Sequence, residues 1–322
     1  MSAITSLQRR GRWRLAEIVF WLVAFGAFLA PGGKQLLLNE IAILALFALS
    51  LDLILGYAGI ISLGHAAFFG AGAYAAGIFC KLAMPDPTAG LLVAIVVAAV
   101  LGLATSLLVL RGSDLTRLMV TLAVALVLHE IANALPEWTG GADGLQGMMV
   151  GPLLGAFDFD LYGRTAYAYS LTTLFVLFLL ARLIVGSPFG LSLMAIRRNP
   201  LRAAALGVPV HRRLIAAYTL GAAYAGAAGA LLAQTTGYVS LDALEFQRSA
   251  DVLLTLIIGG VGWLYGGIVG AIAFKILQDL LSSTSPQFWM FWMGIFLVVL
   301  ALVGRERLAG GVRGLVARVV RS

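Results

Sequence analysis

Residues 88–110 run for 23 positions without one charged side chain. That length matches the roughly 20 apolar residues a helix needs to cross a hydrocarbon core. Other candidate spans lie at 15–30, 40–56, 65–82, 116–135, 166–186, 213–234, 250–262, 265–282 and 287–303. Only 11% of the 322 residues are charged, against about 25% in a soluble domain. The expected fold is therefore all-α: a polytopic transmembrane helical bundle of about 10 spans. A range of 8–10 is compatible, because 250–262 and the piece before Tyr57 are short enough to be broken or re-entrant segments. The 38 glycines suit close helix packing in lipid.

Charge placement sets the orientation. The net charge is +7, but the arginines collect at Arg9, Arg10, Arg12 and Arg14, then at 197–213, then at Arg305, Arg307, Arg313, Arg318 and Arg321. Each cluster flanks an apolar run, which is the positive-inside pattern and not a nucleic-acid surface. Ten crossings put both termini in the cytoplasm, as a basic N-terminus at 1–14 and a basic tail at 304–322 around a transmembrane domain at 15–303. They also put 187–212 inside and 136–165 outside. The outer loop holds Glu137, Asp143, Asp158 and Asp160 against Arg164 alone. The N-terminal basic-then-apolar pattern imitates a signal peptide, but Pro31 follows Ala30 and no convincing cleavage site precedes it; a retained first span is expected. The single cysteine, Cys80, excludes an intrachain disulfide framework and reads as a packed or lipid-facing thiol.

Three stretches carry candidate function. Gly56 to Tyr74 holds five glycines within 17 residues, plus Ser62 and His65 at membrane depth. Glycines permit unwinding or close approach, and polar groups in lipid need partners or a cavity. Gly59, Ser62, Gly64 and His65 are thus translocation-pathway candidates, with a tightly packed helix pair as the alternative. Leu55–Gly59 resembles Ile258–Gly262, with Gly64 aligning to Gly267, so Gly259 and Gly262 join that set if the likeness is a repeat and not chance. The second stretch, Thr139, Gly140, Gly141, Ala142, Asp143 and Gly144, is rich in turn residues. Asp143 can hold such a turn through an Asx bond, and the loop can contact a delivery protein or simply be a turn.

The third stretch, Ser187 to Arg213, holds five arginines and no carboxylate. Ser187-Pro188-Phe189-Gly190 breaks the preceding helix. Leu191, Met194 and Ala195 then recur at helical spacing, with Arg197 and Arg198 on the other side. Asn199-Pro200 stops one short helix and starts a second over Leu201–Leu206, ended by Gly207 and Pro209. Such a pair can lie on headgroups or insert into a groove on a soluble partner.

Acids within the predicted spans are few: Asp52, Glu130, Asp251 and Asp279, with Glu17 nearer the surface. They form no regularly spaced relay. No Walker A loop is present, so this chain is not expected to use ATP itself. No catalytic or metal-binding cluster is expected, since His65, His129 and His211 are far apart.

Together, in order and spacing, these motifs resemble the LivM-type permease family of ABC importers for branched-chain amino acids. The resemblance runs from about Leu44 to Val303. It rests on Gly59–Tyr74, on Arg111-Gly112 through Met119–Leu122 to Thr139–Gly144, on Ala195–Arg197 through Ala203-Ala204 to Leu206–Val208, and on Gly259–Gly262. The chain departs from the family at Ile60, where glutamine is usual. It departs again around Arg198 and Pro200, where acids are usual, and at Ala204 in place of glutamate. These changes make its inner face more basic. The resemblance implies a transport subunit, not an enzyme, in a bacterial inner (plasma) membrane. It implies two ATP-binding cassette subunits that use the ATP, a second related permease subunit, and a periplasmic substrate-binding protein. The ATPase-coupling candidates are then Met194, Arg197, Arg198, Asn199, Pro200, Ala203, Ala204 and Gly207; the binding-protein contacts are Thr139, Gly140, Gly141, Asp143 and Gly144. The rival from another class is a facilitative channel or secondary transporter for a small polar solute such as urea or an amide, which the glycine-rich broken segments would also suit.

Overall fold

Small residues set the centre of this molecule. In the computed structural model, which describes residues 15–29, 34–160, 162–284, 286–288, 291–296 and 298, Val210–Thr236 is one of two helices mostly enclosed by the others. It is the longest helix described and is rich in alanine and glycine, so three neighbours can approach its axis closely. A Cβ at Gly72 would stand 2.7 Å from the Gly226 carbonyl carbon, and one at Gly221 would strike Ile54.

The helices in chain order are α1 (Leu15–Gly26), α2 (Gln35–Leu51), α3 (Ala66–Leu82), α4 (Pro87–Val109), α5 (Asp114–Ala134), α6 (Pro136–Thr139), α7 (Arg164–Gly186), α8 (Pro188–Arg198), α9 (Pro200–Ala205), α10 (Val210–Thr236), α11 (Phe246–Gly259) and α12 (Leu264–Thr284). α2 continues without a break into a π-helical stretch, Asp52–Ala58. No β-strand occurs among the described residues beyond two isolated bridges.

Six helices are long and apolar enough to cross a membrane: Gln35–Ala58, α4, α5, α7, α10 and α12. The expected all-helical membrane fold holds at that level. α1 and α3 are apolar but shorter, and α11 has 14 residues. The predicted span at 40–56 extends to Gln35–Ala58. The predicted 250–262 begins earlier, at Phe246, and stops at Gly259. Much of the predicted 287–303 lies outside the described residues, as do the basic N-terminus at 1–14 and the tail at 304–322.

Burial sorts the helices into layers. α2 with its π stretch and α10 form the interior, while α5 buries only Thr121, Ala125 and Ala132. The outward faces of α4 and α5 carry Leu92, Val96, Val100, Met119 and Leu126, all well exposed, as a lipid-facing layer requires. α1 lies against α7 through a Glu17–Arg182 ion pair of 2.6 Å and a cluster of Trp21, Phe175 and Phe178.

Two segments turn back inside the bundle. Residues 59–65 enter from the end that bears α8 and α9, and α3 starts only where they stop. Residues 237–245 enter from the opposite end, with Leu244 against Gly70, and α11 starts there. The two helix starts meet, with the Ala66 amide donating to Ser249 Oγ at 2.9 Å. Irregular backbone at such depth survives only where the protein supplies partners. Here Leu63 N–H donates to Thr121 Oγ1 at 3.2 Å and Ile60 N–H to the Ile54 carbonyl at 3.1 Å. At the rim, the Asp86 side chain caps α4 through Thr88, bonds that hold its carboxyl below the usual carboxylate range.

Replacing Gly72 with leucine should break the α3–α10 contact, with an overpacking cost of about 1–3 kcal/mol. The expected result is a lower midpoint for thermal unfolding in detergent and a smaller monodisperse fraction, with Gly72→Ala milder on both measures.

Candidate functional site

Four parts of the chain converge where α2 ends. Asp52 opens the π stretch and is fully buried. Its Oδ1 accepts the Gly262 amide at 2.6 Å, tying α2 to the loop between α11 and α12. The last carbonyls of a helix have no donor within it. One of them, on Gly56, accepts a hydrogen bond from Arg197 Nη1 at the end of α8. The arginine side chain threads past Gly59 and Gly262, both left-handed at φ +75° and +80°. A Cβ at Gly59 would stand 2.9 Å from Arg197 Cγ, and one at Gly262 would stand 3.0 Å from Arg197 Nη1. Glycine is required twice over there, by backbone conformation and by the passage of the guanidinium. The positive charge of Arg197 also faces the Asp52 carboxylate.

This junction redistributes the residues singled out from sequence. Gly59 and Gly262 belong to the sleeve around Arg197. Gly259 packs against α12, where its Cβ would stand 2.7 Å from the Gly270 amide nitrogen. The two segments that resemble each other in sequence therefore touch: Gly56 sits against Gly262. Gly64 lies deeper, on the Thr121 carbonyl. His65 is fully buried and stacks on Phe47 at 5.4 Å and 6°. Its Nε2 lies 2.7 Å from Ser50 Oγ, whose own proton goes to the Phe47 carbonyl at 2.6 Å. That arrangement assigns the Nε2–H tautomer. Ser62 is buried beside Tyr218.

α8 and α9 form as their sequence requires. Ser187 caps α8 through Phe189 N–H at 3.2 Å with Pro188 in the first turn, and Asn199 caps α9 through Arg202 N–H at 2.9 Å with Pro200 in the first turn. Gly207, at φ +83°, follows α9. The face of α8 turned inward is Gly190, Leu193 and Ile196, one position away from the Leu191, Met194 and Ala195 set expected to be apolar. Those three instead line an outward groove of about 380 Å³, together with Arg198, Asn199, Arg202, Ala203 and Leu206. Pro200 and Ala204 are exposed beside it, whereas Ala203 is buried at its floor. Arg197 and Arg198 thus part company: Arg197, though exposed, reaches to the Gly56 carbonyl at the end of α2, and Arg198 lines the groove.

The opposite end is organised by the long loop. Thr139 Oγ1 bonds the Ala132 and Leu135 carbonyls at 2.5 and 2.8 Å and accepts from Gly141 N–H at 3.2 Å. The threonine therefore ties this turn, while Asp143 contributes its backbone carbonyl, which accepts from Tyr238 and Gln146. Gly140, Gly141 and Gly144 all have positive φ. Leu145 and Val239 pair through both of their backbone bonds, which fastens the loop over the start of the 237–245 turn. Among the described residues no three His, Cys, Asp or Glu groups gather to hold a metal ion.

The sequence matches the family model described as branched-chain amino acid transport system / permease component over residues 35–303. The chain belongs to this family. Relatives include the high-affinity branched-chain amino acid transport system permease protein LivM of Escherichia coli, 28% identical over 288 residues; the match covers 80% of this chain and 65% of that protein. The LivM of Salmonella typhimurium is 26% identical over 306 residues, covering 85% and 69%. A probable branched-chain amino acid transport permease protein LivH of Methanocaldococcus jannaschii is 27% identical over 252 residues, covering 74% and 77%. The chain thus spans just under two thirds of the length of the first of these relatives. No solved structure matches it. The matched region holds every part of the Asp52–Arg197–Gly262 junction, the α8–α9 groove and the Thr139 turn. Asp52, noted only as a lone acid, and Gly56, noted only as a motif glycine, were the parts of the site that the candidate set left out. The signal available for them was a lone carboxylate in an apolar span, one turn before a glycine.

Asp52→Ala should leave the Gly262 amide buried without an acceptor, a cost of about 1–3 kcal/mol. Asp52→Asn keeps an oxygen there and should retain most of the stability. Chemical denaturation of the two variants in detergent, followed by tryptophan fluorescence, checks the order.

Proposed function

We propose that this chain is the membrane-spanning permease subunit of an ATP-driven importer, and that it passes branched-chain or related amino acids delivered by a periplasmic binding protein. The observation that carries this reading is mechanical. The α8–α9 pair presents an outward groove lined by exposed Leu206 with a basic rim, Leu201 is exposed on the same pair, and Arg197 on that pair is bonded to the end of α2. A force on that groove is transmitted to α2 and to the α11–α12 loop with no flexible linker between. Two cytoplasmic ATP-binding cassette subunits, one per permease, fit the groove, and they supply the hydrolysis. A second, related permease completes the path. The outer turn at 139–144 is the proposed contact for the binding protein.

The orientation follows from charge. Arg198, Arg202, Arg212 and Arg213 lie at the α8–α9 end, while Glu137, Asp143, Asp158 and Asp160 lie in the loop at the other end. Basic loops stay in the cytoplasm. With α1, α2, the two turned-back segments with α3 and α11, α4, α5, α7, α10 and α12 each counted as one passage, and 287–303 as the tenth, both termini are cytoplasmic in a bacterial inner membrane. The transmembrane domain then runs over 15–303, flanked by 1–14 and 304–322.

Because Arg197 braces the fold, the informative substitution spares it. Arg198→Glu with Arg202→Glu reverses the rim charge of the groove alone. In vesicles containing all partner subunits, ATP-dependent leucine uptake should fall about tenfold or more while membrane insertion is unchanged, as expected when a docking charge is inverted. Undiminished uptake in the double variant, or uptake by the permease without any ATPase, would count against the proposal and for a channel or secondary transporter.

A further inference from the structure

A cavity of about 310 Å³ lies between α2, α10, α11 and α12, away from the Arg197 junction. Its residues run from Asn39 to Phe47 along α2, about 12 Å of helix. It therefore occupies the half of the bundle nearer the Thr139 loop, and its inner limit is the place where α11 begins.

Charges of both signs line it. Glu40 and Lys275 satisfy each other at 2.8 Å. Arg248 and Asp251 lie in each other's field, and Lys275 also faces Asp251, but neither enters a salt bridge among the described residues, and the one side-chain hydrogen bond to Asp251 comes from Gln247 at 3.1 Å. Charged groups within a membrane protein face a partner or a polar cavity, and here both line the cavity. Arg248 stands in the first turn of α11, where the helix end adds its own partial positive charge. Two further wall residues carry orphaned acceptors. Asn39 is 5% exposed, and its Oδ1 has no hydrogen-bond partner; neither has Gln278 Oε1. A buried acceptor without a donor costs free energy, and a cationic donor group would relieve it. Phe47, Phe69 and Phe274 supply the apolar part of the wall.

We infer that this cavity is a zwitterion site, in which Arg248 and the α11 start take a carboxylate, Asp251 with Asn39 and Gln278 takes an ammonium, and the phenylalanines take an apolar side chain. Its ligand class is the free apolar α-amino acid. The inference rests on the importer reading for its cargo but adds a place and a chemistry: both ends of the molecule are recognised within this one chain. Its volume sits at the small end of ligand pockets, about 300–1,000 Å³, which favours a single amino acid over a peptide.

The test titrates L-leucine into the full-length permease assembled with its partner subunits in nanodiscs. Two probes each lack one end: 4-methylpentanoate has no ammonium and isopentylamine has no carboxylate. Leucine should bind more tightly than either. Arg248→Gln should weaken leucine about 30-fold or more, the effect of removing one partner of a buried charge pair, and leave isopentylamine unchanged. Asp251→Asn should weaken leucine and leave 4-methylpentanoate unchanged. Leu44→Trp, which fills the cavity without removing a charge, should exclude leucine and guards against misfolding of the charge variants. Leucine affinity within twofold of wild type in all three variants, no leucine binding by the wild type, or equal binding of leucine and the one-ended probes would overturn the site. ATP-driven vesicle uptake is measured in parallel. Uptake that needs no ATPase sinks the importer reading and leaves the site standing; unaltered binding in the variants with intact ATP-driven uptake does the reverse.

Discussion

A carboxylate buried in an apolar span has to be answered, and the way Asp52 is answered organises the α8–α9 end of this protein. Its oxygen fixes the Gly262 amide, and the arginine that faces its charge also takes the free Gly56 carbonyl. Removing a carboxylate from water costs several kcal/mol unless hydrogen bonds and an opposite charge replace the lost solvent. Here one network supplies a hydrogen bond to Oδ1 and a cation nearby, while Oδ2 has no hydrogen-bond partner, and it does so by joining α2, α8 and the α11–α12 loop. The short helices at the surface are therefore not appendages. One of them is bonded to the end of α2.

The same need explains the glycines. Those on α3 and α10 allow backbones to touch, while Gly59 and Gly262 make room for a guanidinium and turn the chain beside it. The first group works by packing and the second by clearance. A substitution in the first should be read out as stability, and in the second as the geometry of the α8 attachment. The π stretch at Asp52–Ala58 widens the helix at this point, a distortion frequent at functional positions.

Much of this was legible in the sequence because it depends on local signals. Long uncharged runs gave the membrane class. Ser187-Pro188 and Asn199-Pro200 marked two helix starts, and both cap as those residue types do. What periodicity could not give was the inward face of α8, since Met194 and Leu193 are equally apolar and only the packing of Gly190 against Val185 decides between them. Nor could it separate Arg197 from Arg198. Adjacent residues on a helix point about 100° apart, and one turned toward an unseen partner 141 positions earlier in the chain. The role of Thr139 in place of Asp143 was hidden for a similar reason: its bonds reach back to Ala132 and Leu135 in the preceding helix. The cavity was the least visible, because Asn39, Arg248 and Gln278 come from three separate helices.

The meeting of α3 and α11 has an electrical side. Each helix start carries roughly half a positive charge, and the two are joined head to head by the Ala66–Ser249 bond inside the bundle. A cation brought to that junction would meet both fields at once, and an anion would be drawn by both.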